Sequence, residues 1–311
     1  MSQIKQNVDS PKQIISKKYL FFSISLSLLT MAGVIWYTYT PGILAYLAPK
    51  RLPGLGIALV VSFLRVWFSA AKIRFLSAGV ISWLGAFRVQ LSWDFTSAVT
   101  PSTIGGAPMA TYAMTKEGLR LGESTAIILY SVLLDQIWFA IAIPILLVAG
   151  IYMDVVPPSV GFLGEASMLI LYVSLLSYAG VLAYGVLIKP SAISKIIRWF
   201  AKLPFLRKHR DKIHSEAQNL EQYAHQLKAK PFRFLLQAFF YSTMSWLARV
   251  ALASIVILSL LPAPELLSVL RSLAMNLAFL VVPTPGGSGG VEGLFVLFQG
   301  PLISREAFIG L

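Results

Sequence analysis

Cysteine is absent from this sequence, which excludes disulfides, thiolate catalysis and cysteine-bound zinc. Acidic side chains are scarce: 13 Asp and Glu stand against 26 Lys and Arg, for a net charge of +13. The three histidines, His209, His214 and His225, share one polar stretch and lack metal-ligand spacing. No serine-nucleophile elbow, Walker loop, His-Glu-x-x-His or paired-carboxylate motif occurs. No cofactor is therefore expected. Residues 1–18 are polar, with Lys5, Lys12, Lys17 and Lys18, and the apolar run after them is too long for a signal h-region. The expected N-terminus is an uncleaved basic tail.

What the sequence has in abundance is apolar surface. Of its 311 residues 57% are hydrophobic and only 13% charged, and mean hydropathy is +0.73. Several uninterrupted runs are long enough to cross a bilayer, so the predicted fold class is all-α, a polytopic membrane bundle. The positive charge clusters beside apolar runs, which points to anionic lipid headgroups and not to nucleic acid.

Full spans are expected near 19–39, 52–71, 126–151, 166–188 and 234–261. The basic tail places the N-terminus in the cytoplasm. Residues 189–233 hold 11 Lys and Arg and are read as a cytoplasmic insert. Within it Ile193, Ile196, Ile197 and Phe200 recur at helical spacing among Lys195, Arg198 and Lys202, the pattern of an amphipathic interfacial helix. A second, polar helix follows, with Ile213, Ala217, Leu220, Ala224 and Leu227 along one face.

Two regions resist a simple span. Residues 75–115 break at Thr100-Pro101-Ser102-Thr103-Ile104-Gly105-Gly106-Ala107-Pro108, and only a short helical piece follows. Counting spans from the basic insert brings Lys116–Arg120 to the cytoplasmic side, which makes 75–115 a re-entrant hairpin entered from inside. Residues 266–303 break at Pro283-Thr284-Pro285-Gly286-Gly287-Ser288-Gly289-Gly290-Val291-Glu292-Gly293, where two prolines remove donors and five glycines free the backbone. This hairpin is entered from outside. Irregular backbone at bilayer depth persists only inside protein or against a wet cavity, so such breaks suggest a binding site; a loop at the membrane surface is the alternative. Opposed entry suggests an inverted repeat with a site between the breaks, although the halves share little beyond Pro and Gly-Gly.

The candidate site residues are cationic or backbone-shaping. Helix starts after Gly106 and Gly290 would present free N–H groups to an anion. Arg249 and Arg271 lie mid-run, and a charge at that depth costs at least about 2.5 kcal/mol, so a cavity or a partner is expected. Arg88 and Asp94 either pair with each other or lie near the interface. Arg65 is read as snorkelling. Asp135 is an arginine partner or a proton site, and Glu292 either caps its helix or contributes to the site. Gly105, Gly106, Gly286, Gly287, Gly289 and Gly290 shape the breaks. Together these features point to a phosphate-bearing amphiphile.

The stretch 100–108, followed by Gly118, Gly122 and Ser131 to Asp135, resembles the first signature of the lysylphosphatidylglycerol synthase transmembrane-region family. Pro283 to Glu292 resembles its second. The resemblance implies a plasma-membrane protein that moves phospholipid or lipid-linked headgroups between leaflets. Its best-known members add a soluble aminoacyl-transferase domain, which is not found here, so synthase activity is not carried over. Family members also continue with a further apolar helix, whereas this sequence stops at Leu311 soon after the helix-like start Ser304–Ala307, as a shortened version would.

Three readings follow. A flippase-like transporter leads, with an anionic phospholipid or lipid-linked substrate as partner. A membrane-embedded enzyme acting on a lipid phosphate or carrier would need Asp135 and Glu292 to converge. A scaffold subunit would use the cytoplasmic helices. Assembly into a homo-oligomer is left open.

Overall fold

The computed structural model describes residues 32, 36, 52–100, 106–157, 161–203, 210–260, 264–280, 282 and 289–302. Among them the chain forms ten α-helices and no strand. These are α1 (Leu52–Leu76), α2 (Trp83–Val99), α3 (Gly106–Lys116), α4 (Leu121–Tyr152) and α5 (Gly161–Ala183), which runs into a π turn at Tyr184–Ile188. After them come α6 (Pro190–Phe200), α7 (Arg210–Lys228), α8 (Phe232–Leu260), α9 (Glu265–Phe279) and α10 (Gly290–Gln299). Four segments of the described residues are long and apolar enough to cross a membrane: Leu52–Leu76, Leu121–Tyr152, Leu169–Ile188 and Phe232–Ser259. The expected span near 19–39 lies almost wholly outside the described residues.

α1 and α8 form an antiparallel pair that can be read contact by contact. Gly54 lies against Ser259, Ser69 shares a hydrogen bond of 2.6 Å with Ser245, and Lys72 and Ser242 meet on one carboxylate. Small residues along this line let the two backbones approach closely, the usual means of helix association where lipid removes the hydrophobic drive.

α4 is the most buried of the four spans, because it belongs to two apolar cores. Ile127, Ile128, Tyr130, Leu133 and Leu134 pack with α1, α2 and α3, around Ile73, Leu76, Val89 and Met114. Trp138, Phe139, Ile143 and Leu146 pack with α8, α9 and α10, around Val250, Leu277 and Phe298. Asp135 lies on the seam between these cores.

The two short-helix pairs fold back on themselves. The start of α3 at Gly106 abuts Trp93 and Ser97 near the end of α2, so any side chain there would collide. The far end of α3 returns to the start of α2, where Glu117 packs against Gly85. α10 likewise starts against Val282 and ends beside the middle of α9, with Gln299 Nε2 donating to the Ser268 carbonyl at 3.1 Å. Neither α2, of 17 residues, nor α9, of 15, is long enough for a typical span.

α7 crosses the start of α4 at Gly122, where any Cβ would meet the Glu216 carbonyl and the Leu220 amide. The Gly122 N–H donates to Glu216 Oε2 at 2.8 Å. Tyr223 on the same helix donates its hydroxyl to the Leu76 carbonyl at 2.9 Å, tying α7 to the end of α1. Burial, with Glu123 nearby adding to it, pushes the Tyr223 hydroxyl up to about 12 from an ordinary 10. A raised folded value favours the neutral form, so this tie is fully present below pH 10 and is lost as pH rises towards 12. Base titration should therefore loosen α7 in that window in the parent chain. Tyr223→Phe should remove that component of the pH dependence, as read by hydrogen exchange across α7.

Candidate functional site

Two facing stripes of polar groups run along α1 and α8. Arg65, Ser69 and Lys72 recur at helical spacing along α1, and Ser242, Ser245 and Arg249 do so along α8. The antiparallel register that pairs Ser69 with Ser245 sets Arg65 opposite Arg249. Ser245 Oγ also donates to the Arg65 carbonyl at 3.2 Å.

Each end of this seam holds one carboxylate from another helix. At one end Arg65 Nη2 donates to Asp94 Oδ2 at 2.8 Å, and Gln90 Nε2 donates to Asp94 Oδ1 at 3.1 Å. At the other, Lys72 Nζ donates to Asp135 Oδ1 at 2.8 Å, and Ser242 Oγ donates to the same oxygen at 2.9 Å. The Lys72 and Asp135 side chains are 6% and 20% exposed, against 20% and 30% for Arg65 and Asp94. The seam is thus closed at Lys72 and more open at Arg65.

Arg249 completes the set, with no carboxylate ion-paired to it among the described residues. Its Nε donates to Asn276 Oδ1 at 3.1 Å, and Asn276 is held in turn by the Ser272 carbonyl. The guanidinium lies over the Trp246 ring, 5.3 Å from its centroid, and 5.8 Å from that of Phe279. Trp246 is itself stacked on Trp138 of α4 at 5.5 Å. Arg65, Asp94 and Asp135 all lie within electrostatic reach of Arg249. Among the described residues three cations, Arg65, Lys72 and Arg249, therefore share two carboxylates, Asp94 and Asp135, an excess of one positive charge.

The other sequence-predicted residues are placed elsewhere. Arg271 is buried and donates to main-chain carbonyls: Nε and Nη2 to Asp154 at 3.0 and 2.8 Å, and Nη1 to Phe298 at 3.0 Å. It joins α9 to the segment after α4 and to α10. Arg271→Ala should strand those carbonyls at about 1–3 kcal/mol each, and should lower the melting temperature of the detergent-solubilised protein.

Arg88 does not pair with Asp94. Its partner is Glu117, at 3.3 Å, on an exposed corner where α3 returns to α2, while Asp94, further along α2, turns to Arg65. Arg65 accordingly does more than snorkel. Glu292 Oε2 accepts the Gly289 amide at 2.8 Å at the start of α10, and Gly289 takes the positive φ of 77° that favours glycine. Gly106 and Gly290 begin α3 and α10. Gly105, Gly286 and Gly287 lie outside the described residues.

The family model for the lysylphosphatidylglycerol synthase TM region matches residues 21–310. The chain belongs to this family. With this membership and its several apolar spans, it is a multi-pass membrane protein. A "UPF0104 membrane protein" of Archaeoglobus fulgidus is 26% identical over 83% of this chain and 80% of its own length. No solved structure matches the chain.

Within this family member the candidate-site residues that sequence reasoning missed are Lys72, Ser69, Ser242 and Ser245. Lys72 reads as the flanking charge at the end of a span, and serines are common in apolar helices. The available signal was their spacing: Arg65, Ser69 and Lys72 share one helical stripe, as do Ser242, Ser245 and Arg249.

Proposed function

We propose that this protein moves phospholipid or lipid-linked anionic headgroups between membrane leaflets. The observation that carries the reading is the opposition of Arg65 and Arg249 on two paired spans that supply three cations for two carboxylates. A phosphate at that level would meet two planar guanidinium forks and restore charge balance. The acyl chains would remain in lipid, beside the exposed apolar flanks of α1 and α8 at Phe63, Leu64, Phe240 and Leu247.

The two folded-back pairs, α2–α3 and α9–α10, supply the elements that rock against each other about the α4 seam. In this reading they are re-entrant, entered from opposite faces, and their helix starts at Gly106 and Gly290 add N–H donors for the headgroup. The protein resides in the plasma membrane with its N-terminus and the basic residues 189–233 in the cytoplasm, as the distribution of Lys and Arg favours. The enzyme reading needs Asp135 and Glu292 to be available; Asp135 is ion-paired with Lys72, and Glu292 caps α10.

The test uses purified protein in vesicles carrying a headgroup-labelled lipid, with an impermeant reductant added outside. Protein-containing vesicles should lose inner-leaflet signal faster for labelled phosphatidylglycerol than for labelled phosphatidylcholine. Rates equal to those of protein-free vesicles for both lipids would sink the reading.

A further inference from the structure

Outside the bundle, α6 carries a feature that the seam does not explain. It begins directly after the span Leu169–Ile188, with Lys189 at the junction and Pro190 at its first position, so it starts at the level where the chain leaves the bilayer. The sequence pattern suggests one apolar face, but the structure divides that face in two. Ile193 and Ile197 pack inward with Ala126, Leu220 and Tyr223, and Ser194 is fully buried beside them. Ile196, Trp199 and Phe200 form a second stripe at helical spacing, 57%, 61% and 49% exposed. Trp199 and Phe200 sit edge to face, 5.0 Å apart.

Beside this naked stripe runs a basic one, Lys195, Arg198 and Lys202. Arg198 is engaged, donating to Glu221 Oε2 at 3.0 Å and to Ser194 Oγ at 2.7 Å, which fixes α6 on α7. Lys195 and Lys202 are exposed, and neither has an ion-pair partner among the described residues. Lys195, Ile196, Arg198, Trp199 and Lys202 line one open pocket. Apolar side chains that would enter acyl chains thus stand next to cations that would meet phosphate, on a helix held rigid by the Arg198–Glu221 pair.

We infer that α6 is a docking site for an anionic phospholipid of the adjoining leaflet, separate from the α1–α8 seam. Ile196, Trp199 and Phe200 insert between acyl chains, and Lys195 and Lys202 hold the headgroup phosphate. The occupant is lipid, because the cations flank an apolar stripe that a free phosphate would leave bare. The site does not depend on transport, so it stands or falls apart from the seam.

The experiment places the full chain in nanodiscs of phosphatidylcholine and phosphatidylglycerol, with one lipid brominated in its acyl chains at a time. The Trp199 signal is isolated by difference from Trp199→Phe. Brominated phosphatidylglycerol should quench Trp199 with a relative association constant roughly fivefold or more above that of brominated phosphatidylcholine. Lys195→Glu combined with Lys202→Glu should bring that ratio to one or below, and Lys195→Arg combined with Lys202→Arg should preserve it. Absence of quenching by either lipid would overturn the proposal, since the stripe would then lie off the membrane. Equal quenching by both would also overturn it, leaving apolar insertion without a headgroup site.

Discussion

Arg249→Ala should slow the exchange of labelled phosphatidylglycerol in reconstituted vesicles by about thirtyfold or more. Truncating one partner of a buried, hydrogen-bonded charge pair costs about 2–5 kcal/mol, and in the proposed site the headgroup phosphate is that partner. The effect on folding should be smaller, because among the described residues Arg249 is held by a neutral amide, at 3.1 Å, and two ring faces. Arg249→Lys should recover part of the rate, since the charge remains and the two-pronged geometry is lost. Arg65→Ala should behave differently. It leaves the partly buried Asp94 with Gln90 as its one remaining donor among the described residues, so lipid exchange and thermal stability should fall together. An Arg249→Ala protein that is folded and exchanges phosphatidylglycerol at the parental rate would remove the seam from the transport path.

Lys72→Met should be the most destabilising single change in the seam. Lys72 is buried and paired with Asp135 at 2.8 Å. Breaking a buried pair by removing one partner costs about 3–5 kcal/mol, because the remaining charge is left uncompensated. Asp135→Leu should be damaging for the same reason, with Ser242 also losing its acceptor. The double variant, Lys72→Met with Asp135→Leu, should recover most of the parental melting temperature, since neither charge is then stranded. If both single variants are as stable as the parent, the pair carries no structural weight. If the double variant is stable but inactive in lipid exchange, the pair has a role beyond folding.

Composition and hydropathy were enough to establish an all-helical membrane protein, because bilayer crossing demands long apolar runs that nothing else in such a sequence explains. The helix starts at Gly106 and Gly290 were also legible, since glycine and proline disrupt helices for local reasons. Ion pairing was not. Arg88 and Asp94 are close in sequence and lie on one helix, yet each turns to a partner elsewhere in the fold, Glu117 and Arg65 respectively. Arg271 shows the same limit. Its mid-helix position suggests a ligand, but it is occupied by carbonyls that only the packing of α9 against Asp154 and α10 brings within reach. The two-sided character of α6 was hidden as well: periodicity groups Ile193 with Ile196, and only contact with α4 and α7 separates them.

The order in which the seam's charges are made has a consequence for biogenesis. Synthesis runs from the N-terminus, so Arg65 emerges with Asp94 following on the next helix, and Lys72 with Asp135 following on α4. Each early cation can therefore settle into the bilayer with its counter-ion before α8 exists. Arg249 emerges last among the three, after both carboxylates are taken. If the proposed site is right, the newborn protein leaves the insertion machinery with a guanidinium held by a neutral amide and two rings, and a lipid headgroup would be the anion that completes it.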